Sequence, residues 1–385
     1  MLKAQLLHEV GEWPLIESQW DELATASAAP YASPPWMLSW YRHALSSRCS
    51  PRVVVVTDRS QLLGIAPFYV DSGPGGLNRY RLLASGVSAP VQPLAVPGSE
   101  GDVAALVAAT LAKAPTPPDL VTFEGIGADS PWPRLIGDAW PGAGRPWLHQ
   151  DMSLPAPTLS LSGRSFQEWT MSQSANFRQQ VNRDRRRLEA EGAKFQLATS
   201  GQDLQRGLRD FATLHYARWN PRGGSKALNA RIERMLEDVA RIWQGSERFR
   251  LWTTEVEGRT ISAHIFLAGG GELAYWNGGF DEDWAAYHPS IQTFMAAIEH
   301  AFMVGDRRIN FGPGGQAYKY RFADGEDALK WVTLVPGGSR KSLTRARLTP
   351  AHLRRAVASR MSPARKQQVK EMLRKVSPRH AESPG

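Results

Sequence analysis

Residues 249–335 constrain this chain more than any other stretch, because several hydrophobic periods follow one another within a single domain's length. Phe249-Arg250-Leu251-Trp252-Thr253-Thr254-Glu255-Val256 alternates, turns at Glu257-Gly258-Arg259 and returns as a second apolar run over 261–267. After Gly269-Gly270-Gly271 comes a third run, residues 272–281, containing Tyr275-Trp276-Asn277-Gly278-Gly279. Pro289 then opens a helical pattern reaching Ala301, and Arg308-Ile309-Asn310-Phe311-Gly312 reads as a further strand. Alternation with a period of two predicts strands, Gly-containing polar turns predict hairpins, and proline suits a helix's first position. Three antiparallel strands, a helix and one more strand are the expectation, with polar side chains at the strand ends, where mixed α/β folds keep their chemistry.

The rest of the chain repeats part of this order. Arg52-Val53-Val54-Val55-Val56-Thr57 and residues 62–70 form a predicted hairpin around Asp58-Arg59-Ser60-Gln61, preceded by helical patterns near 13–23 and 36–41. Helices are also predicted over 102–114, 166–191, 203–219 and 229–244, while 125–157, with six prolines from Pro131 to Pro157, reads as loop. Residues 36–70 and 211–267 share a Trp-containing helical region, a loop and a hairpin, which suggests two related halves. The expected division is 1–155, 156–336 and a basic tail, 337–385.

The charge is unevenly placed. The formal net charge is +9, yet residues 337–385 hold 13 Lys or Arg against Glu371 and Glu382, while the first 336 residues hold 33 basic and 35 acidic groups. Such a tail attracts RNA or an anionic membrane, or serves as a solvated end. The single cysteine, Cys49, allows no disulfide framework and no cysteine metal site within the chain. With no secretory signal pattern and no long apolar run, a cytoplasmic location and no transmembrane segment are expected.

The order of the pieces resembles the acetyltransferases linked to cellulose and exopolysaccharide synthesis (the CelD type), relatives of the Fem peptidyltransferases within the GNAT superfamily. The residues that carry it are Ser33-Pro34-Pro35-Trp36, Gly64-Ile65-Ala66-Pro67, the arginine-rich 176–192 stretch, 211–219, Gly279-Phe280-Asp281, Tyr287-His288-Pro289 and Tyr318-Lys319-Tyr320. His288-Pro289-Ser290 stands where that family usually has Ser-Pro-Gly. The resemblance implies an α/β (α+β) fold of two tandem GNAT-like domains, each a mixed sheet flanked by helices, the second catalytic. It implies N-acyl transfer from an acyl-CoA to an amine of a sugar, amino acid or specialised metabolite. No bound cofactor is implied; the donor is itself a substrate. A Fem-like transferase using aminoacyl-tRNA is the alternative, and a non-catalytic binding module in polysaccharide or envelope assembly is a third.

Acyl transfer to an amine needs a proton acceptor and polarisation of the carbonyl. His264 and Asp281 are the candidates for the base, although a strand histidine also serves as a packed core residue and a carboxylate after Gly279 also serves as a turn residue. Tyr275 and Trp276 alternate, so opposite faces are expected for them. Lys319 and Arg321, flanking Tyr320 and following Tyr318, are expected to point the same way and hold a phosphate or carboxylate. Trp219 is a further substrate-binding candidate, and Arg178, Arg183 and Arg186 offer a basic face for phosphate or RNA. The chain lacks a His-Glu-x-x-His motif, a Walker loop and a Gly-x-Ser-x-Gly elbow, so no metal site is expected.

Overall fold

The structure, a computed structural model, describes residues 2–8, 14–73, 76–142, 144–225, 227–338 and 341–349. Two runs of chain produce one series of elements. The first is β1 (Leu2–Leu7), α1 (Pro14–Ala26), α2 (Pro34–His43), β2 (Ser50–Asp58), β3 (Gln61–Ser72), β4 (Asn78–Leu82), the short β5 (Leu94–Ala95), α3 (Glu100–Ala112), β6 (Leu120–Gly127), α4 (Trp132–Asp138) and β7 (Trp147–Ser160). Two helices follow, α5 (Phe166–Ser172) and α6 (Ala175–Ala190). The second run is β8 (Lys194–Leu197), α7 (Gly201–Trp219), α8 (Ala230–Ile242), β9 (Phe249–Val256), β10 (Arg259–Gly269), β11 (Glu272–Phe280), α9 (Pro289–Met303), β12 (Arg308–Asn310) and β13 (Gly325–Val335).

Local chemistry explains most of these elements. Ile232, Met235, Leu236, Val239 and Ala240 recur at helical spacing and are the buried face of α8. The predicted helix over 166–191 is two helices. Gln173 is extended, and the Ser174 side chain accepts from Phe177 N–H, starting α6 afresh.

All thirteen strands of the described residues join one sheet, in the order β1-β2-β3-β4-β6-β13-β7-β12-β11-β10-β9-β8, with β5 pairing to β3. Neighbours are antiparallel except for β4–β6 and β11–β12, which are parallel and are bridged by α3 and α9. The order reads alike from both ends, and the last strand of each run lies across the centre. β13 of the second run pairs with β6, and β7 of the first pairs with β12. β7 and β13 also pair with each other over eleven residues of β13. The expected boundary at 155/156 falls inside β7, and the halves are stitched through it.

β7 corrects the loop expected over 125–157, and its prolines explain both the error and the strand. Pro155 and Pro157 turn the same edge toward the end of β12. β12 stops at Asn310, so no strand there requires their missing N–H groups. Their carbonyls accept from Gly314 N–H (2.7 Å) and Phe311 N–H (3.0 Å) as the chain leaves the sheet.

One apolar core crosses between the halves, from Trp20, Trp36 and Phe68 to Phe211, Leu236 and Leu251. The Ser39 hydroxyl donates to Asp238 at 2.8 Å and Arg42 pairs with it at 3.1 Å, tying α2 to α8. A second core surrounds Phe294 of α9. The expected tail does not begin at 337 as a free end. Residues 341–349 are helical, and Leu348 packs with Leu77, Leu120 and Val335; the remainder, 350–385, lies outside the described residues.

The turn between β10 and β11 locks the halves together at Gly270, whose φ is +61°. A Cβ there would lie 2.0 Å from the Thr25 carbonyl oxygen and 2.9 Å from Ala28 Cα, both at the end of α1. Overpacking against backbone and a left-handed non-glycine residue each cost roughly 1–3 kcal/mol, so Gly270→Ala is expected to destabilise by about 3–5 kcal/mol in urea denaturation. A loss under about 1 kcal/mol would mean that the two halves yield easily at this contact.

Candidate active site

The parallel strands β11 and β12 pair over only three residues on each side, ending at Ala274 opposite Asn310. Beyond that point they separate. The register of β10 against β11 also shifts between Ile265 and Phe266, leaving Trp276 as an extra residue on β11. The separation opens a cavity of about 490 Å³ beneath the N-terminus of α9. Its walls include His264, Tyr275, Trp276, Tyr318, Lys319 and Trp219, six of the expected site residues drawn from four segments of the second run.

His264 lies deep in this cavity and is 2% exposed. Its Nε2 lies 3.0 Å from Ser290 Oγ, and Nδ1 has no hydrogen-bond partner among the described residues. The ring sits 4.4 Å from that of Phe294 and 5.6 Å from that of Tyr275. Burial, aided by the Arg218 charge, pushes its pKa down to about 3, so the imidazole is neutral at ordinary pH. Tyr275 packs toward α9 against Phe294, at 4.8 Å. Trp276 turns to the first half, where its ring meets Trp36 at 6.0 Å and its indole N–H donates to the Val87 carbonyl at 2.8 Å. Both nevertheless contribute atoms to the cavity wall.

Lys319 is 4% exposed and pairs with no carboxylate among the described residues. Its Nζ donates to the carbonyls of Gly312 at 3.0 Å and Pro313 at 2.9 Å. Burial lowers its pKa to about 8. An ammonium has three donors, so a third remains for a group in the cavity. The Gly-rich 312–315 segment thus forms a cradle of carbonyls around a cation.

Lys319 and Arg321 do not point together. Lys319–Arg321 is a 3-10 turn rather than a strand, so residues two apart diverge by roughly 120°. Arg321 leaves the cavity, donates to Gln180 Oε1 at 2.8 Å and stacks over Phe177. Asp281 also lies outside the cavity's walls. It pairs with Arg259, accepts from Asp283 N–H at 3.1 Å and faces a neighbouring polar cavity that includes Arg206 and Asp210. On α6, Arg178 is engaged with the carbonyls of Met171 and Gln173, whereas Arg183 and Arg186 face solvent, Arg183 alongside Asp184.

Three groups at the site escaped the sequence reading. Arg218 lines both the main cavity and the polar one beside it, with its guanidinium over the Phe280 ring. His288, just before α9, lines the mouth and places Nδ1 2.9 Å from Oδ2 of Asp184. A signal for Asp184 was present. It falls in phase with Phe177, Val181 and Leu188, so a carboxylate stands on the core-facing stripe of a helix otherwise crowded with arginine.

In the first half β4 and β6 likewise pair over three residues, ending at Arg81 opposite Thr122, and the chain just beyond, Leu82, Leu83 and Ala84, is fully buried, with Leu83 N–H donating to the Pro67 carbonyl at 2.8 Å. Glu124 is taken up there by Arg81 and by the Ser85 hydroxyl at 3.0 Å.

Residues 175–320, which include every wall of the main cavity, match a family model described as an acetyltransferase (GNAT) domain. No curated protein matches the chain. Solved structures share its overall fold at low identity. FemX aligns at 9% identity with a TM-score of 0.58, over 89% of this chain and 99% of its own. The C-terminal domain of a proposed lysylphosphatidylglycerol synthetase from Agrobacterium fabrum aligns at 12% and 0.56, over 88% and 94%. L-PGS from Bacillus licheniformis aligns at 13% and 0.53, over 91% and 98%. The chain therefore has the mixed α/β fold that these structures share, and the stretch that matches the GNAT domain model lies in its second half. Among the described residues, no helix is long and apolar enough to cross a membrane.

Proposed function

We propose that the protein is an N-acyltransferase whose second half moves an acyl group from an acyl-CoA to a primary amine of a sugar, amino acid or specialised metabolite. The observation that carries this reading is the cavity between the parted ends of β11 and β12, under the first turn of α9 and beside a buried lysine. Beyond Ala274 the inner edge of β11 has no strand partner, which suits a donor lying along it and bonding to backbone. The positive end of the α9 dipole suits the phosphates of such a donor, although Pro289 has no N–H and those of Ile291 and Gln292 are taken by the His288 carbonyl. Lys319 suits an anionic group on either substrate, and Tyr318, a phenol kept protonated by burial and accepting from the Tyr275 hydroxyl, suits a hydrogen bond to the acyl carbonyl.

A second reading has an aminoacyl-tRNA as donor, with transfer in the same cavity. The likeness to FemX and the solvent-facing Arg183 and Arg186 on α6 favour it. A donor screen by mass spectrometry separates the two. Acyl-CoAs and charged tRNAs are each supplied with a panel of primary amines. Release of free CoA with an acylated amine supports the first reading. Amide formation only from charged tRNA, weakening as salt is raised, replaces it with the second.

A further inference from the structure

The half-exposed histidine at the cavity mouth has a buried partner. Asp184 is 1% exposed, on the core-facing side of α6. A buried carboxylate is costly unless paired and hydrogen-bonded. Here Oδ2 meets His288 Nδ1 at 2.9 Å, and Oδ1 takes the Arg183 side chain at 3.2 Å. These residues are 104 positions apart in the chain, so the contact is made by the fold. With its Nδ1–H donating to a carboxylate, an imidazole carries its lone pair on Nε2. Nδ1 is held by α6, which leaves Nε2 as the ring nitrogen not engaged there, and His288 is one of the residues lining the cavity.

The backbone holds the ring in place. His288 has φ +50° and ψ +49°, a conformation that costs a side-chain-bearing residue roughly 1–2 kcal/mol. Its carbonyl accepts from Ile291 and Gln292 N–H groups, and its own N–H donates to Ala285. The other basic groups of the cavity fit the task less well. His264 is deep and kept neutral by burial, with a pKa of about 3, which makes it a weak proton acceptor. Lys319 gives its protons to two carbonyls.

We infer that His288 is the general base of the transfer and that Asp184 is its positioning residue. This rests on the transferase reading. The amine nitrogen attacks the thioester carbonyl carbon and forms the C–N bond. Nε2 takes one proton from that nitrogen, the C–S bond breaks, and its electron pair leaves on sulfur. The imidazolium then gives that proton to the thiolate, so amine and acyl-CoA become amide and free thiol with His288 restored.

The test compares wild type with His288→Gln, His288→Gly and Asp184→Asn. Acetyl-CoA and a panel of primary amines are the probes, thiol release is the rate, and calorimetry gives acetyl-CoA affinity. His288→Gln is expected to lower kcat about 10²–10³-fold with affinity within about threefold, and Asp184→Asn to lower it at least about tenfold. His288→Gly suits the left-handed backbone and guards against misfolding. Added imidazole is expected to restore its rate at least about tenfold, which a purely structural role would not allow. A His288→Gln rate within about threefold of wild type overturns the inference. So does a His288→Gly loss that imidazole leaves untouched while acetyl-CoA affinity falls in step. Wild type that binds none of a set of acyl-CoAs and releases no thiol overturns the acyl-CoA reading and the base proposed for it, a result distinguishable because it needs no substitution.

Discussion

Lys319→Met is expected to remove most of the transfer activity while making the protein more stable. The lysine is buried, and its charge is met only by the carbonyls of Gly312 and Pro313 among the described residues. Its pKa of about 8, against an ordinary 10.5, corresponds to about 3 kcal/mol of burial cost carried by the folded state. Methionine fills a similar volume without charge. It leaves two carbonyls unpaired, which returns roughly 1–2 kcal/mol, so a net gain of about 1–2 kcal/mol at pH 7 is expected. Under the proposed function Lys319 holds an anionic group of a substrate, and loss of such a cation costs on the order of 10²–10³ in kcat/KM. A protein spending stability on a buried charge that serves only packing would lose the cost and keep the rate.

The pH dependence of that stability difference has a definite sign. Below about pH 8 the lysine is protonated in both folded and unfolded chains, and the burial cost is fully present. Between about 8 and 10.5 the unfolded chain holds a proton that the folded chain has released, so wild-type stability rises with pH relative to the methionine variant. Urea denaturation of both proteins from pH 7 to 10 reads this directly. A difference that stays constant or widens would show that the ammonium is not desolvated as described.

Gly278→Ala is the second large effect. Gly278 pairs with His264 across β10 and β11. A Cβ at this glycine would stand 2.4 Å from His264 Nδ1, 2.7 Å from its Cε1 and 2.8 Å from the Tyr275 hydroxyl. The imidazole has little room to yield, since Phe294 lies 4.4 Å away on α9 and Ser290 engages its Nε2. One methyl group therefore either displaces both aromatic side chains or pushes the strands apart at the cavity floor. Roughly 1–3 kcal/mol of destabilisation is expected, with loss of most activity because His264 and Tyr275 leave their places. Wild-type rates in this variant would remove the floor of the cavity from the site.

Much of this architecture is legible from residue order. The strands over 249–280 and the helix from Pro289 follow from alternation, glycine turns and a proline entry, all of which act within a few residues. The buried stripe Phe177, Val181 and Leu188 is also visible as spacing. Six expected site residues share one cavity because β10, β11, α7 and the 318–319 turn converge there. Arg321 and Asp281 parted from them for local geometric reasons. A 3-10 turn replaced an assumed strand, and an ion pair with Arg259 engaged the carboxylate.

The periods, the turns, the likeness of the two halves and the cation and histidines of the second half can be read along the chain, because each depends on near neighbours. Which strands cross the centre of the sheet, and why Pro155 and Pro157 are tolerated in one of them, emerged from long-range pairing. It also decided that β11 and β12 part after three residues, opening a cavity between them. Asp184 and His288 meet for the same physical reason. Their contact is the product of α6 packing on α9, a non-local event that no spacing between residues 104 apart records.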